Sequence, residues 1–212
     1  MIEKMMQAID YGYSETDIYL QFTSFHQQAD CVRLTCSLYT EDEEEKVMDQ
    51  WLIECWNFQE YRLDSLDSYD REEFEVTDDH PYLWDYQKPF TELYFRGEMT
   101  DAKALIGDLY LEHNRLTNRL IPFGRYLNDE ETGYGSNLEW LLTRKEGLFS
   151  TAPALLNEAY HALLSQYGFA TSLLTRKAEP PCKECRLLRL GKSFVIAEKF
   201  DAIRIEAGNW FL

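Results

Sequence analysis

The chain has 212 residues, 45% hydrophobic and 15% aromatic, with only 10 glycines and 6 prolines. That composition can bury a sizeable core and excludes intrinsic disorder and Pro/Gly low-complexity sequence. Thirty-eight acidic against 21 basic side chains give a net charge of -17, and residues 1–101 hold 25 of the acids with 7 of the bases. Such an excess repels nucleic-acid phosphates and anionic lipid, so no nucleic acid is expected on the acidic half. With no apolar run near the roughly 18 residues of a membrane span, no membrane partner is expected either.

In chain order, Ile2, Met5, Met6 and Ile9 form the apolar stripe of a short helix that Gly12 can end. Asp17 to Phe25 is β-branched and aromatic, and Cys31 to Tyr39 alternates in period two. These predict a hairpin turning through Gln27-Gln28-Ala29-Asp30. Glu41 to Glu45 is a run of five carboxylates, read as a solvated connection. Val47 to Phe58, carrying Trp51, Ile53, Cys55, Trp56 and Phe58 without clean alternation, predicts a central strand that is covered on both faces or bulged. Short strands follow at Phe74 to Val76 and Thr91 to Arg96.

Asp101 is the expected cap of a helix whose leucines 105, 109, 116 and 120 recur at spacings of four and seven and which Pro122 and Gly124 end. The segment 128–136 is the most loop-like, so the expected domains are 1–127 and 137–212, or one compact domain with that loop. A helix over 137–146, stopped by Gly147, is followed by a second from about Ala152. The second presents Leu155, Leu156, Ala159, Leu163, Leu164 and Tyr167 on one face and stops at Gly168. Strands at Phe169 to Leu174, Arg186 to Leu190, Phe194 to Glu198 and Ala202 to Ile205 close the chain, the middle two joined at Gly191-Lys192. The expected fold class is α+β: an antiparallel, aromatic-rich sheet with packed helices, then a helix-then-strand second half.

Met1 to Met6 lacks the basic and apolar regions of a secretion signal, and five cysteines is an odd count, so a cytoplasmic protein with free thiols is expected. Cys182-Lys183-Glu184-Cys185 has the spacing of half a zinc site, but no second ligand pair accompanies it, so no metal and no cofactor is expected. Gly191-Lys192-Ser193 lacks the leading glycine of a phosphate loop, and Gly133-Tyr134-Gly135 lacks the third glycine of a dinucleotide fingerprint.

The most unusual stretch is Asp78-Asp79-His80-Pro81-Tyr82-Leu83-Trp84-Asp85-Tyr86, in which carboxylates and an imidazole alternate with large aromatics. Rigid aromatics with a charged rim are the composition of interface hot spots. The expected partner-binding residues are therefore Asp78, Asp79, Tyr82, Trp84, Asp85 and Tyr86, with Glu43, Glu44 and Glu45 steering. Tyr82, Leu83 and Trp84 also read as a cover over the sheet with the acids left in water, and Asp78, Asp79, His80 and Asp85 as ligands for a divalent metal or a carboxylate–histidine acid/base pair. The leading expectation is a non-enzymatic module whose acidic half engages a basic protein. The alternative is an enzyme or small-molecule binder with a pocket between the halves, using His80, His113 or His161. The basic residues Arg176, Lys177, Arg186 and Arg189 are expected to lie near carboxylates of 41–85.

Overall fold

The computed structural model describes residues 1–12, 18–40, 47–64, 68–98, 102–128, 138–176 and 179–205. The chain is α+β, with antiparallel sheets and packed helices. It divides into two compact units, Met1–His80 with Glu184–Leu212, and Pro81–Lys183. These differ from the expected halves 1–127 and 137–212, because the chain leaves the first sheet at His80 and re-enters it at Glu184. Of the loop expected at 128–136, residues 129–136 lie outside the described residues.

The first unit contains α1 (Ile2–Gly12), β1 (Ile18–Gln28), β2 (Cys31–Thr40), β3 (Asp49–Arg62), β4 (Ser68–Asp70) and β5 (Phe74–Thr77). β9 (Arg186–Leu190) and β10 (Ser193–Arg204) complete its sheet, in the order β4-β1-β2-β3-β10-β9-β5. β1 and β2 form the expected hairpin, Gln28 opposite Cys31. β3 is the middle strand of the seven, and its loss of alternation has a physical cause. Between Ile196 and Ala197 of β10 the register shifts from Glu60 to Phe58, leaving Gln59 as an extra residue, while Asn57 turns to φ 51°.

β4 and β5 are separated only by a 3-10 turn at Arg71–Glu73, yet they occupy opposite edges of the order. The sheet therefore curls until one turn bridges its two edges. Gly191 helps to close it: at φ 57° its N–H donates to the Glu73 carbonyl at 3.0 Å. A Cβ there would stand 2.9 Å from the Tyr69 ring, so only glycine fits without displacing it. Ile2, Met5 and Ile9 of α1 join Leu20, Phe22, Leu34, Leu38, Ile53, Phe74 and Val195 in a single core. Ion pairs tie the helix down, Glu3 to Arg186 at 2.6 Å and Asp10 to Arg71 at 2.8 Å.

The second unit contains α2 (Trp84–Gln87), β6 (Phe90–Arg96), α3 (Ala102–Thr117), α4 (Leu138–Thr143), β7 (Glu146–Pro153), α5 (Ala154–Gln166) and β8 (Ala170–Thr175). Its three-stranded sheet has the order β7-β6-β8. Buried residues of α5 pack with Leu93 and Phe95 of β6, and Leu105 and Leu109 of α3 belong to the same core.

Several expectations are corrected here. α3 stops at Thr117, because Asn118 and Arg119 take left-handed φ of 50° and 62°, and its buried stripe is Leu105, Leu109, His113 and Thr117. Gly147 lies inside β7, a strand that the helical reading of 137–146 overlooked. On α5 the buried residues are Leu156, Asn157, Tyr160 and Leu164, while Leu155 faces solvent. The last two expected strands are one, β10 (Ser193–Arg204), which follows β9 (Arg186–Leu190) through the expected Gly191-Lys192 turn. Asp101 and the carboxylate run 41–45 lie outside the described residues. No described helix is long and apolar enough to cross a membrane.

Candidate functional site

Counted by unit rather than by halves, the excess of acid still falls on one part of the chain. The first unit holds 25 acids and 10 bases, a balance of -15, and the second holds 13 and 11, a balance of -2. The densest part of the described acidic surface runs from Asp70 to Asp79. Within it Phe74 is buried and Val76 packs against the core, because β5 alternates, and this turns Glu75 and Thr77 outward. Asp70, Glu72, Glu73, Glu75, Asp78 and Asp79 are all exposed.

Two guanidiniums organise this ribbon without neutralising it. Arg71 donates to both oxygens of Asp10, at 2.8 and 3.0 Å, and to the Phe74 carbonyl at 3.1 Å. Arg189 on β9 donates to Glu75 at 2.9 and 3.1 Å across the β5–β9 ladder. Arg189 thus meets a carboxylate of residues 41–85, as expected, but as a strand of the same sheet. Arg186 pairs with Glu3, and Arg176 of the second unit pairs with Glu92 at 2.9 Å. Lys177 lies outside the described residues. Burial, and after it the Arg189 charge, holds the His80 imidazole below its usual pKa.

The expected aromatic anchors fare differently. Trp84 is only 6% exposed and belongs to the core of the second unit, so its assignment as a solvent-facing anchor is corrected. The cause is local. Pro81–Leu83 makes a 3-10 turn that runs directly into α2, and this buries Leu83 and Trp84 while Tyr82 packs half-buried against the same core. Tyr86 is half-buried, and its carbonyl accepts the Cys182 N–H at 3.1 Å. Asp85 is not a free rim charge: it accepts from Arg125 Nε at 3.1 Å and from the Tyr126 hydroxyl at 2.7 Å. Glu43, Glu44 and Glu45 lie outside the described residues.

Sequence reasoning missed Tyr11. It is 87% exposed at the end of α1, next to Asp10, whose carboxylate Arg71 holds at the start of the acidic ribbon. The signal was present: position 11 falls off the stripe of Ile2, Met5 and Ile9, so a large aromatic there has no core to enter.

The histidines of the second unit have fixed partners. His113 is fully buried, and its Nε2 donates to the Ile121 carbonyl at 2.8 Å. In the neutral ring this makes Nδ1 the acceptor of the Tyr160 hydroxyl at 2.7 Å. Burial lowers the His113 pKa and raises that of Tyr160. His161 meets Thr171 at 2.6 Å. An open crevice of about 390 Å³ is lined by Arg96, Gly97, Glu98, Arg144, Lys145 and Glu146. Within it Lys145 pairs with Glu98 and Arg96 with Glu146.

Cys31, Cys36 and Cys55 are free, whereas Cys182 and Cys185 are disulfide-bonded, which corrects the expectation of five free thiols. The four-residue spacing, with Pro180 and Pro181 before it, folds as a tight turn that brings the two sulfurs together. No protein-family model, curated protein or solved structure matches the chain.

Proposed function

We propose that the chain is a non-enzymatic binding protein whose first unit engages a basic protein. The observation that carries this reading is the partition of charge, -15 on the first unit against -2 on the second. A field of one sign steers an oppositely charged partner from beyond contact range, and a desolvated aromatic then slows its departure. Tyr11 supplies such a ring beside Asp10, and Asp70 to Asp79 supply the rim. A lysine or arginine of the partner would gain both a carboxylate and the face of the ring.

The test is capture from native extract at low and high salt, followed by binding kinetics of the purified pair. Association is expected to slow with salt and with the double variant Glu72→Lys/Asp78→Lys, whereas Tyr11→Ala is expected mainly to speed dissociation. A partner that binds both variants like the wild type, at a rate indifferent to salt, would overturn the reading.

A further inference from the structure

We infer that β8 is a dimerisation edge, at which two copies of this chain join their three-stranded sheets into one of six strands. β8 pairs on one side with β6 and, among the described residues, ends the sheet on the other. Sheet edges are usually blunted by charge, proline or a bulge, because their free N–H and C=O groups template the addition of another strand. Ala170-Thr171-Ser172-Leu173-Leu174-Thr175 contains no charge and no proline, and its register with β6 is unbroken. Ala170, Ser172, Leu174 and Thr175 are exposed, Leu174 by 54%.

The phase of the ladder settles which backbone groups face outward. Arg176 N–H donates to the Phe90 carbonyl at 3.1 Å, one step beyond the pair Thr91 and Thr175. Antiparallel pairing alternates, so Ala170, Ser172 and Leu174 turn their backbone toward β6, and Thr171, Leu173 and Thr175 turn theirs to the free edge. A twofold axis through Leu173 then sets Leu173 opposite its own counterpart, Thr171 opposite Thr175 and Ser172 opposite Leu174. Every pair shares a face, and the N–H and C=O of all three outward residues are satisfied in both copies. Thr171 and Leu173 already lie on the α5 side, where Thr171 meets His161 and Leu173 packs on the core. The six-stranded sheet would therefore carry both α5 helices on one side.

Charge selects a second copy as the occupant. A basic partner is drawn to the unit of balance -15, whereas β8 is uncharged and belongs to the unit of balance -2. Two copies can meet there with the least crowding of carboxylates. Their overall like charge still opposes association, so salt must strengthen this contact, the opposite of its effect on a basic partner. The dimer stands whether or not the first unit binds such a partner.

The experiment is sedimentation velocity on the full chain over a range of micromolar concentrations, at low and high salt. The wild type is expected at twice 25.1 kDa, with a dissociation constant that falls as salt rises. Thr175→Pro removes an outward N–H and leaves the β6 ladder intact, which proline tolerates on an edge. By symmetry it deletes two intermolecular bonds and should weaken the dimer roughly ten- to hundredfold. Leu174→Lys, which puts an ammonium on the exposed face of the edge, serves if the proline variant loses its wild-type circular dichroism. Hydrogen exchange at Thr171, Leu173 and Thr175 should slow as concentration rises. A wild type that stays at 25.1 kDa overturns the inference and leaves a strand from a different protein as the occupant. A dimer that forms equally well in both variants, or that weakens with salt, places the contact elsewhere and overturns it too.

Discussion

The two units of this chain reach a defined structure by different means. The core of the first is almost entirely apolar: one curled sheet and α1 pool their side chains, and its buried polar residues are hydroxyls, Ser37, Thr40 and Ser193. The second unit buries an imidazole and an amide. Asn157 donates to the Thr91 carbonyl at 2.8 Å and accepts from Ser150 at 2.5 Å, so one side chain joins α5, β6 and β7. His113 likewise joins α3 to Tyr160 of α5 and to the Ile121 carbonyl. In the first unit alternation and a bulge set the register, because a slip of one residue would turn the apolar set outward. The second has a smaller sheet, and directional bonds fix how its helices meet it.

The sharpest way to break this contrast is to remove volume from one core and a hydrogen-bonding group from the other. Ile53, fully buried on the middle strand, leaves a cavity as Ile53→Ala, with an expected loss of about 2–5 kcal/mol. Asn157→Leu keeps the volume but strands Ser150 and the Thr91 carbonyl, and about 1–3 kcal/mol per stranded group should be lost. Hydrogen exchange resolved by peptide would check both, each variant loosening its own unit first. Equal loosening of both units by either variant would show that they unfold as one.

Reduction comes next. The Cys182–Cys185 loop spans four residues and flanks the point where the chain passes from one unit to the other. Loop-closure entropy for so short a span gives about 2 kcal/mol. Thiol titration should find three groups per denatured chain before reduction and five after it. In the folded protein the three free thiols should react slowly, since burial pushes Cys36 up to about 12 and raises Cys31 and Cys55 as well.

Acid sharpens the contrast further. His113 is held neutral by burial, so its folded pKa lies below the ordinary 6.5. The unfolded chain then binds the extra proton first. Stability is complete above about 6.5 and is lost as pH falls through the lower, folded value. His113→Gln can still donate to Ile121 and accept from Tyr160, and it should flatten this pH dependence in the second unit. His80, also depressed by burial and Arg189, should leave a slope of the same sign in the first. A His113→Gln protein with the wild-type acid slope in second-unit peptides would remove the imidazole from the account.

Much of the fold was legible because period and punctuation agreed. The α1 stripe, the β1–β2 hairpin, the β9–β10 turn and the central place of β3 follow from apolar spacing and turn residues. The discontinuous first unit was not legible, because the return of β9 and β10 to a sheet begun more than a hundred residues earlier leaves no local mark. β7 was hidden for a related reason: Gly147 reads as a helix stop, yet it lies inside a strand, at a φ of 149° that side-chain-bearing residues rarely adopt. At the candidate site, composition found the acidic surface but could not say which aromatic faces water. Trp84 and Tyr11 both stand beside carboxylates. Only the turn at Pro81–Leu83 and the phase of α1 decide that Trp84 goes in and Tyr11 stays out.

The smallest expected effect on stability belongs to the acidic ribbon. Glu72 lies in the 3-10 turn that bridges the sheet edges and Asp78 lies just past β5, and both are exposed. Exposed charges contribute roughly 0–1 kcal/mol, and reversing these two relieves repulsion from Asp70, Glu73, Glu75 and Asp79. Glu72→Lys/Asp78→Lys should therefore unfold within about 1 kcal/mol of the wild type, or slightly later. The same substitutions change the first unit from -15 to -11, because each exchanges a negative charge for a positive one. If the ribbon serves binding, association with a basic partner slows while denaturant midpoints hold, and dimerisation through β8 is unchanged or slightly tighter. If the ribbon serves the fold, the midpoint falls and hydrogen exchange quickens first along β4 and β5. Wild-type association with a lowered midpoint would assign the carboxylates to stability and leave Tyr11 without its charged rim.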